Sequence, residues 1–167
     1  FVMGRTIAEA LARSNKGTNA SYRYSFDMLG EGALTTKDAL RYLQAYRDAI
    51  HAIGRSGPGG TYAGQDVFGV PSISVKLSAL HPRYEHAQRA RVFAELTPRV
   101  LELAQLAKSY GIGFTIDAEE SERLELSLDV IAGAYRDASL DGWQGYGLAV
   151  QAYQKRAPEV IDFIAGL

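Results

Sequence analysis

The segment Ser72-Ile73-Ser74-Val75-Lys76-Leu77-Ser78-Ala79-Leu80-His81-Pro82-Arg83-Tyr84 constrains this chain more than any other. Its first half alternates: Ile73, Val75 and Leu77 share one parity, and Ser74, Lys76 and Ser78 share the other. A β-strand would place all the apolar groups on one face. Amphipathic helical patterns flank it on both sides, which implies a parallel sheet covered by helices. A lysine on the inner face of such a sheet is costly, because taking an ammonium out of water is unfavourable unless a carboxylate or ligand anion meets it. The question is what meets Lys76.

The remaining chain repeats one unit. Residues 1–20 read as an N-terminal helix or arm, with Ile7 and Leu11 at helical spacing and a turn-rich break at Lys16-Gly17-Thr18-Asn19-Ala20. Residues 21–167 read as four βα units. Tyr24 to Leu29 alternates as the first strand. Thr35 or Thr36 then caps a helix with the stripe Ala39, Leu43, Tyr46, Ile50 and Ile53, and Gly54 stands in the C-terminal stop position. The glycine-rich stretch from Ser56 to Gly64 precedes a strand and lacks a Gly-Lys-Ser/Thr ending, so it reads as a connector rather than a phosphate loop. The strand at Lys76 leads to helical pattern from about Glu85 to Tyr110, where Pro98 either kinks one helix or starts a second. Gly113 to Ala118 is the third strand. A helix over about 119–135 carries the stripe Leu124, Leu128, Ile131 and Tyr135, and Glu119-Glu120 suits its positive end. Gly147 to Tyr153 is the fourth strand, before a helix opening at Pro158; Trp143 reads as a packing residue.

Strand–helix repetition of this kind obeys the right-handed crossover rule and gives an open doubly wound sheet or a (βα)8 barrel. The inward parity carries Ser25 and Asp27, Ser74, Lys76 and Ser78, Thr115 and Asp117, and Ala149, Gln151 and Tyr153. Each strand thus offers an ionisable or amide group near its carboxyl end, where barrel active sites lie. An open sheet is usually apolar on both faces, so one-sided polarity favours a barrel lumen. A full barrel takes about 250 residues. The fold expected is therefore α/β, the N-terminal half of a (βα)8 TIM-like barrel with four parallel strands, truncated at its C-terminal end. Both chain ends read as cut.

Composition excludes several classes. The net charge is −1, which argues against a nucleic-acid surface. No run approaches the roughly 18 apolar residues of a membrane span. The chain has no cysteine, which removes disulfide, thiolate-zinc and cysteine-nucleophile chemistry and fits a reducing cytoplasm. His51, His81 and His86 show no ligand spacing, so no metal site is expected and each reads as structural. Lys76 beside Asp117 is expected to stay protonated, a poor Schiff-base nucleophile. What remains is a charged cup: Lys76 can hold a substrate carboxylate, Asp117 can orient it, and Gln151 can bond a cofactor ring. The competing readings are a structural Lys76–Asp117 pair with no chemistry, a non-catalytic half-barrel that dimerises or binds a partner, and a barrel aldolase or lyase.

At these residues the sequence becomes familiar. The blocks Tyr24 to Glu31, Ile73 to Tyr84, Ile116 to Glu120 and Val150 to Arg156 closely resemble the proline dehydrogenase family, in the form found as a domain of bifunctional proline utilization A proteins. The resemblance implies a distorted barrel holding FAD, which oxidises L-proline to pyrroline-5-carboxylate and passes electrons to a quinone. It also allows peripheral membrane association and a homo-oligomer, and no nucleic-acid contact through this segment. By motif match, Lys76 contacts the proline carboxylate and Asp117 shapes the pocket. Asp27 and Glu31 belong to the pocket and its gate, with Glu31 in a loop that pairs with an arginine of the last helix. Ala149, Gln151 and Tyr153 lie toward the flavin. The family's paired arginines, pocket tyrosines and most FAD-phosphate residues fall beyond Leu167, so the segment alone is expected to bind neither FAD nor proline well.

Overall fold

The computed structural model describes residues 2–28 and 32–167. The four strands are β1 (Ser25–Asp27), β2 (Ser72–Val75), β3 (Gly113–Ile116) and β4 (Tyr146–Leu148). They form one parallel sheet in the order β1-β2-β3-β4. Chain order and spatial order coincide, as in successive units of a barrel wall; a doubly wound sheet would reverse at a switch point. The helices are α1 (Ile7–Ser14), α2 (Thr36–Arg55), α3 (Leu77–Leu80), α4 (Arg89–Tyr110), α5 (Leu124–Tyr135) and α6 (Ala157–Ala165).

The pairing register sets the two faces. Phe26, Ile73, Phe114 and Tyr146 lie in one row across the sheet, and Asp27, Ser74, Thr115 and Gly147 lie in the next. The first row, with Val75 and Ile116, joins the apolar faces of α2, α4 and α5 in a single core. The second row carries the polar side chains. The expected stripe of α2 is buried at all five positions, Ala39, Leu43, Tyr46, Ile50 and Ile53. That helix starts where Thr35 accepts from the Asp38 N–H and the Asp38 carboxylate accepts from the Thr35 N–H.

Several expected boundaries move. Strand β2 stops at Val75, and Leu77–Leu80 coil into α3, so Ser78 is helical rather than an inward strand residue. Strand β4 stops at Leu148, which leaves Gln151 and Tyr153 in the turn beyond it. Pro98 lies inside a continuous α4, which Gly111 ends in the left-handed conformation at φ 70°. The buried residues of α5 are Leu126, Val130, Ile131, Ala132 and Ala134, and Tyr135 is exposed, so the stripe sits on a rotated face.

Gly54 does not stop α2 but lies within it, because α2 crosses α4 there at close quarters. A methyl group at position 54 would stand 2.2 Å from Cγ of Tyr110. The Tyr110 hydroxyl meanwhile bonds Nδ1 of His51 at 2.9 Å, one turn earlier. Helix propensity alone makes Gly54→Ala stabilising by up to about 1 kcal/mol. Overpacking of the helix crossing is expected to reverse that sign and destabilise by about 1–3 kcal/mol. Urea denaturation of the variant checks the sign; a stabilised variant would mean that α2 and α4 do not approach this closely.

Candidate active site

At or just past the end of each strand stands a residue of the inward parity. Asp27 is the last residue of β1, while Lys76, Asp117 and Ala149 directly follow β2, β3 and β4. The backbone ladder continues past the strand ends, with the Asp117 N–H donating to Val75 O and the Ala149 N–H to Ile116 O, each at 2.9 Å. Lys76 and Asp117 therefore stand level on adjacent strands, and Asp27 stands on the other side of β2, level with Ser74.

This register brings three charges together. The Lys76 Nζ donates to Asp117 Oδ2 at 2.8 Å and to both carboxylate oxygens of Asp27 at 2.9 Å. The Lys76 side chain is 12% exposed, against 24% for Asp117 and 42% for Asp27. Burial on its own would lower the affinity of this amine for its proton. The hydrogen bonds and charges of Asp117 and Asp27 outweigh it and raise the pKa above the ordinary lysine value. The ammonium is thus fixed as a cation throughout the physiological range, which argues against Schiff-base chemistry.

Two groups hold this centre in place. Ser74 donates its hydroxyl to Asp117 Oδ1, so both oxygens of that carboxylate are engaged. The Tyr46 hydroxyl accepts from the Lys76 backbone N–H at 3.2 Å. Burial pushes that phenol up to about 12, against the opposing effects of Lys76, so it stays neutral. Ser74 was visible in the sequence only as an inward strand position, and Tyr46 only as a core stripe residue. The parity two residues before Lys76 carried the first signal. Nothing local carried the second, since a tyrosine ring packs the same whatever its hydroxyl meets.

A neighbouring loop completes the site. Glu119 does not open α5 as expected; its carboxylate accepts the Ser78 N–H of α3 at 3.0 Å. Burial raises its pKa, with the Ser78 hydrogen bonds opposing. The Glu119 backbone carbonyl accepts from Gln151 Nε2 at 3.1 Å, and Gln154 donates to the Gln151 side-chain oxygen. An open cleft lies here, lined by Asp117, Glu119, Ala149 and Gln151 on one side and by the apolar Leu128 and Val160 on the other. The structure thus brings together Asp27, Lys76 and Asp117, and places Ala149 and Gln151 on the adjoining cleft. Tyr153 is 82% exposed and does not line that cleft. Glu31 lies outside the described residues.

The histidines all have partners in the protein or lie at a turn. His81 is buried, accepts the Arg83 N–H on Nδ1 at 3.1 Å and faces Glu95 from Nε2 at 3.2 Å. His86 begins a short 3₁₀ turn. Among the described residues no three metal-ligating side chains cluster, and no helix is long and apolar enough to cross a membrane.

A family model described as proline dehydrogenase matches residues 10–167. Over its full length the chain is 54% identical to the bifunctional protein PutA of Escherichia coli (strain K12), covering 12% of that protein. The crystal structure of a mutant of Bradyrhizobium japonicum proline utilization A is 55% identical and superposes with a TM-score of 0.81, over 98% of this chain and 16% of that one. Proline utilization A from Bdellovibrio bacteriovorus, inactivated by N-propargylglycine, is 21% identical with a TM-score of 0.88, over 99% of this chain and 18% of that one. That second likeness shows the fold alone. The chain spans only 12–13% of the curated relatives it matches.

The buried Glu119 gives a signed test. A carboxyl whose folded pKa is raised contributes its stability fully below the unfolded carboxylate range and loses it as pH rises through the folded value. Glu119→Gln keeps an acceptor for the Ser78 N–H but removes the ionisation. The stability of the variant relative to the native chain is therefore expected to improve as pH rises from 4 to 7. Urea midpoints measured across that range check it; parallel pH profiles would contradict the burial of this carboxyl.

Proposed function

Because this chain belongs to the proline dehydrogenase family, we propose that it supplies the carboxylate seat and one edge of the flavin site of an enzyme that oxidises L-proline to pyrroline-5-carboxylate. The observation that carries the proposal is the Lys76 ammonium at the carboxyl-terminal rim of the sheet, held as a cation by Asp117 and Asp27. A zwitterionic ring amino acid presents one carboxylate, and a charge-assisted bond to a fixed ammonium decides which ring C–H faces the oxidant. Lys76 binds and orients. Asp117, clamped by Ser74, keeps Lys76 from swinging out of position. With these roles, residues 21–167 act as four βα units of the barrel and residues 1–20 as an arm.

The oxidation removes two electrons and two protons from proline to form the ring C=N bond. FAD, when bound, supplies the two-electron oxidant for this step. The residues at the cleft fit one edge of a flavin. Gln151 is fixed through one amide N–H and its oxygen, which leaves a second N–H for a ring acceptor. Ala149 presents a small exposed side chain beside it, so a planar ring can approach the backbone there. Tyr153, exposed on the same turn, is positioned to cover a bound ring only if that turn folds inward. The electrons leave to a quinone, and the protein works in the cytoplasm or peripherally at the membrane where that quinone resides.

Removing one partner of a desolvated charge pair costs about 2–5 kcal/mol, or roughly 30-fold and upward in binding. Lys76→Met in the full-length flavoprotein is expected to weaken L-proline binding by at least about 30-fold, while the flavin absorbance is retained. Calorimetric titration with proline reads the result. Unchanged affinity would remove Lys76 from the substrate site and the proposal with it.

A further inference from the structure

Strand β2 is held differently on its two sides at the level of Lys76. On the β3 side the ladder runs on past the strand end, with the Asp117 N–H donating to Val75 O at 2.9 Å. On the β1 side the register pairs Ser25 with Ser72 and Asp27 with Ser74, and the Ser72 N–H donates to Tyr24 O at 3.0 Å. In a parallel ladder each step of two residues on one strand advances two on the other. The Lys76 N–H therefore falls to the carbonyl of Met28. It donates instead to the Tyr46 hydroxyl of α2, at 3.2 Å. Tyr46 is 2% exposed, and its ring belongs to the core that α2 shares with the sheet. The chain leaves the sheet at this point: Lys76 is still extended, at φ −102° and ψ 127°, and Leu77 opens α3.

We propose that Tyr46 is a positioning residue for the carboxylate seat: its hydroxyl takes the place of the next β1 carbonyl, ends the β1–β2 ladder and fixes Lys76 to α2. The inference rests on the proposed function, in which Lys76 is that seat. The length of the tyrosine side chain sets how far the Lys76 backbone stands from α2, and the close-packed ring cannot yield without disturbing the core. Lys76 is thus referenced to the helix layer and to β3 rather than to the three-residue β1. A shift of β1 need not carry the Lys76 backbone with it. A phenylalanine would pack the same ring yet leave a buried N–H without its acceptor. The next carbonyl in the ladder, that of Met28, would then draw the Lys76 backbone toward β1 and move the ammonium with it.

Tyr46→Phe in the full-length flavoprotein removes the acceptor and keeps the ring. Calorimetry with cyclopentanecarboxylate, a saturated ring carboxylate that cannot form the imine, should show a Kd raised about tenfold. The flavin absorbance reports that the site is otherwise intact. In a Lys76→Met background the same substitution should change Kd by less than about twofold, because a residue that acts through Lys76 then has nothing left to position. A tyrosine that only packs the core predicts equal effects in the two backgrounds. Equal effects, or native affinity in Tyr46→Phe, overturn the positioning role and leave the proposed function standing. Undiminished binding in Lys76→Met alone overturns both. A crystal structure of Tyr46→Phe gives a reading that needs no ligand. The Lys76 N–H should turn to Met28 O and lengthen the β1–β2 ladder; an unmoved Lys76 backbone would overturn the proposal.

Discussion

An ammonium group held between two carboxylates at the rim of a parallel sheet is the constraint on which the rest of this molecule turns. Lys76 comes out of water to 12% exposure, a cost that Asp117 and Asp27 offset by meeting it within 2.9 Å. A buried pair of this kind contributes little net stability against an apolar alternative. Its presence here is better accounted for by use than by stability. Three strands must keep their register for the three groups to meet, so a one-residue slip of β1 or β3 would turn a carboxylate toward the helices.

Around that centre the protein spends backbone and buried hydroxyls on keeping side chains still. Ser74 fixes one oxygen of Asp117, and Tyr46 reaches from α2 through the core to the backbone of Lys76. Glu119 ties the loop after β3 to the start of α3, and its carbonyl holds Gln151. Core, sheet and rim are therefore one connected unit. The apolar row of Phe26, Ile73 and Phe114 fixes the sheet on the helices, and the polar row then has no choice of direction.

Much of this is legible from the residues. Alternation at Ile73-Ser74-Val75-Lys76 fixes both the strand and the side on which the lysine emerges, because side-chain direction in a strand has a period of two. The α2 stripe is legible for the corresponding helical reason. What escapes is whatever depends on contact between distant segments. The helical turn at Leu77 follows apolar alternation that reads equally well as strand, and tertiary packing decides it. Gly54 looks like a helix stop until Tyr110 of α4 is seen against it. Glu119 looks like a dipole partner for its own helix, yet it caps another one. At the site, Lys76, Asp117 and Asp27 are all legible by their inward parity. The roles of Ser74 and Tyr46 depend on where hydroxyl groups point, which no periodicity encodes.

The central claim is that Lys76 is a permanent cation offered to a carboxylate. Its side-chain ammonium resonance, followed by ¹H–¹⁵N NMR during a pH titration and again during addition of L-proline, tests this most directly. The account predicts a signal that remains that of a charged ammonium beyond the ordinary lysine range and shifts in proportion to bound proline. A lysine that loses its proton below that range, or a resonance indifferent to saturating proline, would contradict it.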